Sequence, residues 1–267
     1  MRRALNYAVV FSFLFVFPLM AVQPRPRPMA GSITTSSTQI VPLVIVGEGW
    51  SQRIVITNVD DTLPAVGTIQ FYTQTGAIWS VSTAAGRNPI FAFSLQPGQT
   101  YLLDTLVSQA PLTLGWAMIQ ENSSDFGDLL GQTIFRKQTA DLPDFMCSLV
   151  LGSQAFTKLS VFFDNTGGNY TGMGVLTSRL CSFSCDVADS LRVSIRDLSG
   201  NVVSQKTISQ KKGVLYWMNL GVDFPETNGM MGVFVVESVA QFSTYLTGFS
   251  LQFAPNGAFT AITPFEN

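Results

Sequence analysis

The second half of this 267-residue chain repeats the first half at a nearly constant distance. Four pairs of segments carry the repeat: 50–58 with 170–178, 71–79 with 195–203, 115–119 with 232–236, and 131–134 with 248–251. The two members of these pairs lie 120, 124, 117 and 117 positions apart. One unit of about 120 residues, used twice, is therefore the first prediction for the architecture.

Both units have the pattern of short strands. Beyond residue 40, short apolar or alternating runs end at turn residues, and no segment has a sustained helical period. The first unit has predicted strands at 41–46, 53–59, 67–73, 91–95, 100–105, 115–120, 131–137 and 145–151. The second unit has them at 158–163, 172–177, 191–197, 206–209, 213–219, 232–236, 245–253 and 259–263. We expect an all-β protein of two tandem antiparallel β-sandwich domains, Ig-like or jelly-roll-like, at 40–151 and 156–267.

The N-terminus has the pattern of an export signal. Arg2 and Arg3 precede an uncharged apolar run at 8–21, which is short for a membrane span. We expect a signal peptide at 1–21, cleaved after Ala21, although an uncleaved anchor or a buried helix would have the same pattern. A linker rich in Pro, Ser and Thr follows at 22–39. The predicted location is secreted, periplasmic or on the cell surface, with no stable membrane span after cleavage.

Composition narrows the classes of function. The chain has no His, which removes the usual base of nucleophilic triads and the commonest zinc ligand. Apolar residues make up 46% and charged residues 12%, and the formal net charge of −2 comes without a basic stripe. Nucleic acid is therefore not an expected partner. We expect a non-enzymatic protein with no cofactor, calcium being the one candidate.

Three Cys residues leave one without a partner. Cys181 and Cys185 are close enough in sequence to form a disulfide in an oxidising compartment. Cys147 lies in an apolar strand-like run, where a free thiol behaves as a small apolar side chain. We expect a bridge between Cys181 and Cys185 and a free, buried Cys147.

An ordered series of short motifs resembles one family. The motifs are GEGW at 47–50, LQPG at 95–98, GWA at 115–117, IFR at 134–136, FDNT at 163–166 and NGAFT at 256–260. In this order they resemble an uncharacterised family of exported, acidobacterial-type proteins built from tandem β-sandwich repeats. The resemblance covers about residues 41–264. It implies the fold and export, and it implies no activity and no functional residues.

Two groups of polar residues are candidates for cation binding or catalysis. Asp164, Asn165 and Asn169 lie in a glycine-containing turn, where their oxygens are candidate calcium ligands, although an Asx turn has the same pattern. Asp125 and Asp128 lie in an acidic loop with Glu121, and paired carboxylates are what a glycosidase needs. A solvated acidic loop is the simpler interpretation, so no catalytic residue is assigned.

Four aromatic residues next to turns are candidate ligand contacts, because a ring face stacks on a sugar. They are Trp50, Tyr170, Trp79 and Tyr101. Trp50 and Tyr170 fall at the same place in the repeat, which also fits an aromatic plug at the end of each sandwich. The leading hypothesis is a binding or adhesion module for a glycan or a protein. The alternatives are a structural or assembly subunit that acts through its sheet edges and, less favoured, a His-free glycan hydrolase or lyase. The sequence does not indicate the oligomeric state.

Overall fold

Antiparallel strand pairing organises the chain into two halves with the same strand order. The computed structural model describes residues 38–122, 128–139, 144–153, 156–177, 188–239 and 246–266. The strands of the first half are β1 (Thr38–Val46), β2 (Trp50–Asn58), β3 (Ala65–Thr73), β4 (Val81–Thr83), β5 (Gly86–Asn88), β6 (Ile90–Leu95), β7 (Thr100–Asp104), β8 (Thr113–Glu121), β9 (Leu129–Lys137), β10 (Phe145–Val150) and β11 (Gly152–Ser153).

The second half adds nine strands and two short helical segments. The strands are β12 (Lys158–Asp164), β13 (Tyr170–Thr177), β14 (Ala188–Asp197), β15 (Val202–Lys211), β16 (Leu215–Asn219), β17 (Met231–Ser238), β18 (Leu246–Phe253), β19 (Phe259–Ile262) and β20 (Phe265–Glu266). Helix α1 (Leu220–Asp223) and a 3₁₀ turn (Pro225–Thr227) lie between β16 and β17. Among the described residues, no helix is long and apolar enough to cross a bilayer.

Each half contains one five-stranded and one four-stranded sheet. In the first half the orders are β11-β1-β8-β3-β6 and β10-β9-β2-β7, and β4 and β5 form a separate hairpin. In the second half they are β20-β12-β17-β14-β15 and β19-β18-β13-β16. Without the β4–β5 hairpin, strands matched in chain order occupy the same places in both halves.

The two sheets of each half enclose a core. Alternate side chains along each strand point inward, as the period of two requires. The first core includes Val41, Ile54, Ile69, Phe71 and Ile119. The second includes Val161, Phe163, Val175, Val193 and Phe234. The sequence predicted an all-β, antiparallel, sandwich-like fold, and the pairs of sheets that enclose these cores confirm it.

A third apolar cluster joins the halves. It contains Ile40, Leu43, Ile45, Tyr72 and Trp116 from the outer side of the first five-stranded sheet, with Trp50, Phe135 and Leu149. From the second half it contains Leu176, Leu215, Phe249, Leu251 and Phe259. The described residues from 38 to 266 accordingly belong to one compact unit.

Hydrogen bonds close the same junction. The Trp116 indole N–H donates to the Gly213 carbonyl oxygen at 3.0 Å. The backbone N–H of Leu215 donates to the Gln74 carbonyl oxygen at 2.8 Å. Gly76, in the turn after β3, has a φ of 84°, and a Cβ there would lie 2.6 Å from the Gly213 oxygen. A glycine is therefore needed where the two turns meet.

All sixteen predicted strands are present, and four strands of two or three residues were not predicted: β4, β5, β11 and β20. Two of these extend the five-stranded sheets, since β11 pairs with β1 and β20 pairs with β12. β1 begins at Thr38, two residues before the predicted start of the first domain. The predicted signal peptide at 1–21, nearly all of the linker, and the Cys181–Cys185 disulfide lie outside the described residues.

Candidate functional site

The outer side of the first four-stranded sheet is the candidate site, and strand register defines its surface. Inward residues such as Ile54, Ile56 and Leu103 belong to the first core, so their neighbours along each strand point outward. We call this outward surface the free face. Its side chains are Ser51, Arg53, Val55 and Thr57 on β2, Thr100, Leu102 and Asp104 on β7, Leu130, Gln132, Ile134 and Arg136 on β9, and Met146, Ser148 and Val150 on β10.

The free face exposes large apolar side chains. Leu130, Met146 and Val150 are each 62% exposed, and Leu102 is 53% exposed. Leu106 and Val107, which follow β7, are 49% and 38% exposed. A scattered apolar residue on a surface needs no explanation, whereas several on one sheet face mark an interaction surface.

Two shallow depressions shape the free face. One, of about 370 Å³, is lined by Leu106, Val107, Ile134 and Met146 together with polar groups that include Arg53 and Asp104. The other, of about 340 Å³, is lined mainly by Val55, Leu130, Gln132 and Val150. Both have apolar walls, which suits contact with apolar side chains of a partner.

Ion pairs fix the charged groups of the free face. The Arg53 guanidinium bonds both carboxylate oxygens of Asp104, at 2.6 Å and 2.9 Å. Arg136 Nε donates to Asp144 Oδ2 at 2.7 Å, and Nη2 donates to the same oxygen. The hydrogen bond and charge of Asp104 raise the pKa of Arg53. The surface is therefore locally neutral, with its two cations held in fixed positions.

The corresponding surface of the second half is covered. Its outward side chains come from β13, β16, β18 and β19, and we call this surface the packed face. It consists of Tyr170, Gly172, Gly174, Leu176, Leu215, Trp217, Thr247, Phe249, Leu251, Phe253, Phe259 and Ala261. Phe249 is fully buried, and Leu176, Leu215 and Leu251 are at most 2% exposed. This face supplies the second half's share of the cluster between the halves.

Glycines let aromatic rings lie flat within the packed face. A Cβ on Gly172 would lie 2.2 Å from Trp217 Cζ2, and one on Gly174 would lie 2.2 Å from Phe249 Cε1. The rings of Trp217 and Phe249 lie 5.8 Å apart, centroid to centroid. The TGMG segment at 171–174 thus provides the space that these rings fill.

Trp50 and Tyr170 differ from the sequence-based expectation of equivalence. Gly131 of β9 pairs with Ile56 of β2, and Gly248 of β18 pairs with Val175 of β13. When the two glycines are matched, Ile56 corresponds to Val175, and Trp50 corresponds to Asn169 rather than to Tyr170. One residue of difference reverses the face of a strand. The sequence alignment was therefore wrong by one position in this strand.

The two aromatics accordingly have different surroundings. Trp50 is 7% exposed, with its ring centroid 4.6 Å from that of Phe259 across the junction between the halves. Tyr170 is 45% exposed and stacks on Phe253 at 4.7 Å. Trp50 has no ring face open to a ligand, whereas part of Tyr170 is accessible at the rim of the packed face.

Trp79 and Tyr101 pack against the first core. Both are partly buried beside it. Trp79 lies over Gly115, whose Cβ would be 2.9 Å from the indole ring. The Tyr101 ring lies 6.1 Å from that of Phe93, and burial raises the pKa of Tyr101. The four aromatics named from the sequence do not form one site.

The predicted calcium ligands form a turn. Asp164 Oδ1 accepts the backbone N–H of Thr166 at 2.8 Å and its hydroxyl at 2.6 Å. Asn165 is buried and donates to Thr227 Oγ1 at 3.0 Å. The backbone N–H of Asn169 closes the turn on Thr166. These contacts are those of an Asx turn. The described residues contain no group of three or more His, Cys, Asp or Glu arranged for a metal ion.

The acidic loop is described only in part. Glu121 is fully buried at the end of β8, and Asp128 is exposed, while Asp125 lies outside the described residues. Cys147 is a free thiol on the inward side of β10, as expected, but it is half-buried rather than buried. Burial raises the pKa of this thiol to about 12, and the backbone N–H of Ala261 bonds to it. A thiol with such a pKa is a poor nucleophile at neutral pH.

Sequence reasoning missed the free face. The available signal was in β10, where Met146 and Val150 alternate with Phe145, Cys147 and Leu149, so that both sides of the strand are largely apolar. A strand apolar on both sides is covered on both sides or carries an interaction surface.

Comparison with known proteins yields no match to a family model, a curated protein or a solved structure.

Proposed function

We propose that this protein is an exported, non-enzymatic binding module that holds a protein partner on its free face. The observation that carries the proposal is the exposure of Leu102, Leu130, Met146 and Val150 on one sheet face between two fixed ion pairs. Export rests on the sequence pattern of residues 1–21.

The proposal treats the two halves as copies of one repeated β-sandwich unit. The shared strand order supports this, and so does the match of Gly115 with Gly232, which lie opposite Thr73 and Asp197 at corresponding places. Within one chain, therefore, the same sheet face occurs once against another sandwich and once against solvent. A face whose counterpart packs on protein is suited to pack on protein itself.

The chemistry of the free face favours a protein over a glycan. It offers aliphatic side chains, two shallow depressions and paired arginines, the mixture found at protein interfaces. Sugar binding relies on accessible aromatic ring faces, and no aromatic residue is among the outward side chains of β2, β7, β9 and β10. The absence of His from the sequence supports a role without acid–base catalysis.

Panning a random peptide library against the immobilised protein tests the proposal. We expect a family of related peptides that bind the wild type and lose at least tenfold in affinity for Leu130→Asp/Val150→Asp. Val222→Asp is the matched control, because Val222 is 72% exposed on α1, away from the free face. A parallel glycan array examines the other ligand class.

Three results decide the outcome. Peptides lost on the free-face variant and kept on the control support the proposal. Peptides that bind both variants equally, or no enrichment at all, contradict it. A glycan hit that is lost on Tyr170→Ala and kept on Leu130→Asp/Val150→Asp would replace the protein partner by a sugar bound at the rim of the packed face.

A further inference from the structure

The junction between the halves joins two different surfaces. The packed face of the second half lies against the outer side of the first five-stranded sheet, where Ile40, Leu43, Tyr72 and Trp116 are buried. When unlike surfaces of similar units meet, the contact is heterologous and leaves one matching surface open at each end. One open surface is the free face. The other is the outer side of the second five-stranded sheet.

We call that other surface the distal face, and register defines it as it does the free face. Its side chains alternate with Val161, Val193 and Phe234 of the second core. They include Lys158, Ser160 and Phe162 on β12, Arg192, Ser194 and Arg196 on β14, Val233, Val235 and Glu237 on β17, and Phe265 on β20. Leu198, in the turn after β14, borders it.

The distal face combines projecting apolar side chains with a recess. Phe265 is 65% exposed, Leu198 is 69% exposed and Phe162 is 37% exposed. A recess of about 400 Å³ lies among Phe265, Leu198 and Val233. The free face has the same two kinds of feature, since Leu130, Met146 and Val150 project beside its depressions. Each face thus offers projections and a hollow to the other.

Charge places no obstacle between the two faces. On the distal face Arg192 Nη2 lies 2.7 Å from Glu237 Oε2, and Lys158 is opposite Glu237 on the next strand. Arg196 donates to the Gly200 carbonyl oxygen at 3.0 Å. On the free face both arginines are paired with Asp. Lys158 and Arg196 leave the distal face with a positive excess, which meets arginines already paired with Asp on the free face, so the contact brings no unpaired like charges together.

We propose that the free face binds the distal face of a second copy of this chain, so that copies associate head to tail. This inference rests on the proposed function and names its partner. At the junction within the chain, a four-stranded sheet packs on a five-stranded sheet. The proposed contact between chains has the same arrangement, with the four-stranded sheet of one copy on the five-stranded sheet of the next. Because each copy keeps one open face of each kind, the assembly is open-ended and grows with concentration.

Sedimentation velocity with two complementary variants tests the inference. Leu130→Asp/Val150→Asp disables the free face, and Leu198→Asp/Phe265→Asp disables the distal face. We expect the wild type to increase in average mass with concentration, each variant alone to stay monomeric, and their equimolar mixture to form dimers only. Val222→Asp should behave as the wild type. Leu130→Thr/Val150→Thr, which keeps strand propensity, replaces the aspartate pair if circular dichroism shows loss of fold.

The outcomes separate this inference from the proposed function. A wild type that remains monomeric at millimolar concentration overturns the inference. So does a distal-face variant that still dimerises, because the contact would then be free face to free face. If either result accompanies face-dependent peptides from the panning, the proposed function stands and only the identity of the partner is wrong. If the panning also fails, both are wrong.

Discussion

The packed face and the free face occupy the same place in the two halves and have different side chains. Where the packed face has Phe249, Leu251 and Phe253 along β18, the free face has Gln132, Ile134 and Arg136 along β9. Where β13 has Gly172 and Gly174, β2 has Arg53 and Val55. The strand framework is shared, so the side chains alone decide whether the face is buried at the junction or stays exposed to solvent.

The difference has a physical meaning. Aromatic rings that lie flat over glycines give the close packing of a permanently buried contact, in which the side chains are not exposed to water. Aliphatic side chains between paired arginines tolerate water and still lose apolar surface when a partner binds. The packed face therefore resembles a core, and the free face resembles the surface of a reversible interface.

The largest expected effect separates the two faces at one matched position. Phe249→Ala removes a fully buried ring and should lower the free energy of unfolding by about 3–5 kcal/mol. Gln132→Ala, at the same place on the free face, should change it by less than about 0.5 kcal/mol. Urea titration measures both. Equal losses would show that the faces do not differ as described.

Thiol labelling compares the two sides of one strand. Cys147 lies on the inward side of β10 near Ala261, and burial raises its pKa to about 12. Iodoacetamide at pH 8 should modify it about 10³-fold more slowly than an ordinary exposed thiol, because only the thiolate reacts. The rate should rise about tenfold per pH unit up to the pKa.

The control for this labelling is the adjacent outward position. Ser148→Cys places a thiol on the exposed side of β10, and the fragment-ion spectrum of the peptide that contains both residues distinguishes it from Cys147. Rapid modification of both residues in the folded protein would mean that the junction between the halves opens readily, contrary to its buried contacts.

A glycine substitution tests the same ring packing by adding an atom instead of removing the ring. Gly174→Ala places a Cβ 2.2 Å from Phe249, so the ring must move, and we expect a loss of about 1–3 kcal/mol in stability. Without that ring, alanine would be the better strand residue and stability would rise. The double variant Gly174→Ala/Phe249→Ala should therefore lose less than the sum of the two single losses. Additive losses in thermal unfolding would argue against the contact.

The smallest expected effect concerns the free face itself. Leu130→Thr/Val150→Thr alters two side chains that are each 62% exposed, so stability should change by less than about 1 kcal/mol in total. The same variant should lose the partner contact. A large drop in melting temperature would show that these residues support the fold rather than a binding surface.

The strands were predictable because they are determined locally, by the alternation of apolar residues and by the turn residues that end each run. All sixteen expected strands occur, since alternating apolar runs and turns such as that at Gly76 leave few other structures. The residue-by-residue correspondence between the two halves was harder to predict from the sequence. The match of Trp50 with Tyr170 was wrong by one residue, and a sequence comparison cannot detect that error without the register of the neighbouring strand.

The candidate site was harder to predict, because burial depends on what lies across a face. The outward sides of β10 and β18 are both largely apolar, yet that of β18 is covered and that of β10 is exposed. No local pattern distinguishes the two. The turn at Asp164 shows the same limit, since its polar residues suit a cation or an Asx turn until the contacts to Thr166 are known.

The most direct test of the two-face account is hydroxyl-radical footprinting of methionine and phenylalanine across a concentration series. Met146 is 62% exposed on the free face, and Met218 is 2% exposed within the second core. We predict that Met146 oxidises rapidly in dilute protein and becomes protected as concentration rises, together with Phe265, while Met218 stays protected throughout. Equal oxidation rates for Met146 and Met218 in dilute protein would contradict the account, and a rate of Met146 that is independent of concentration would overturn the head-to-tail contact.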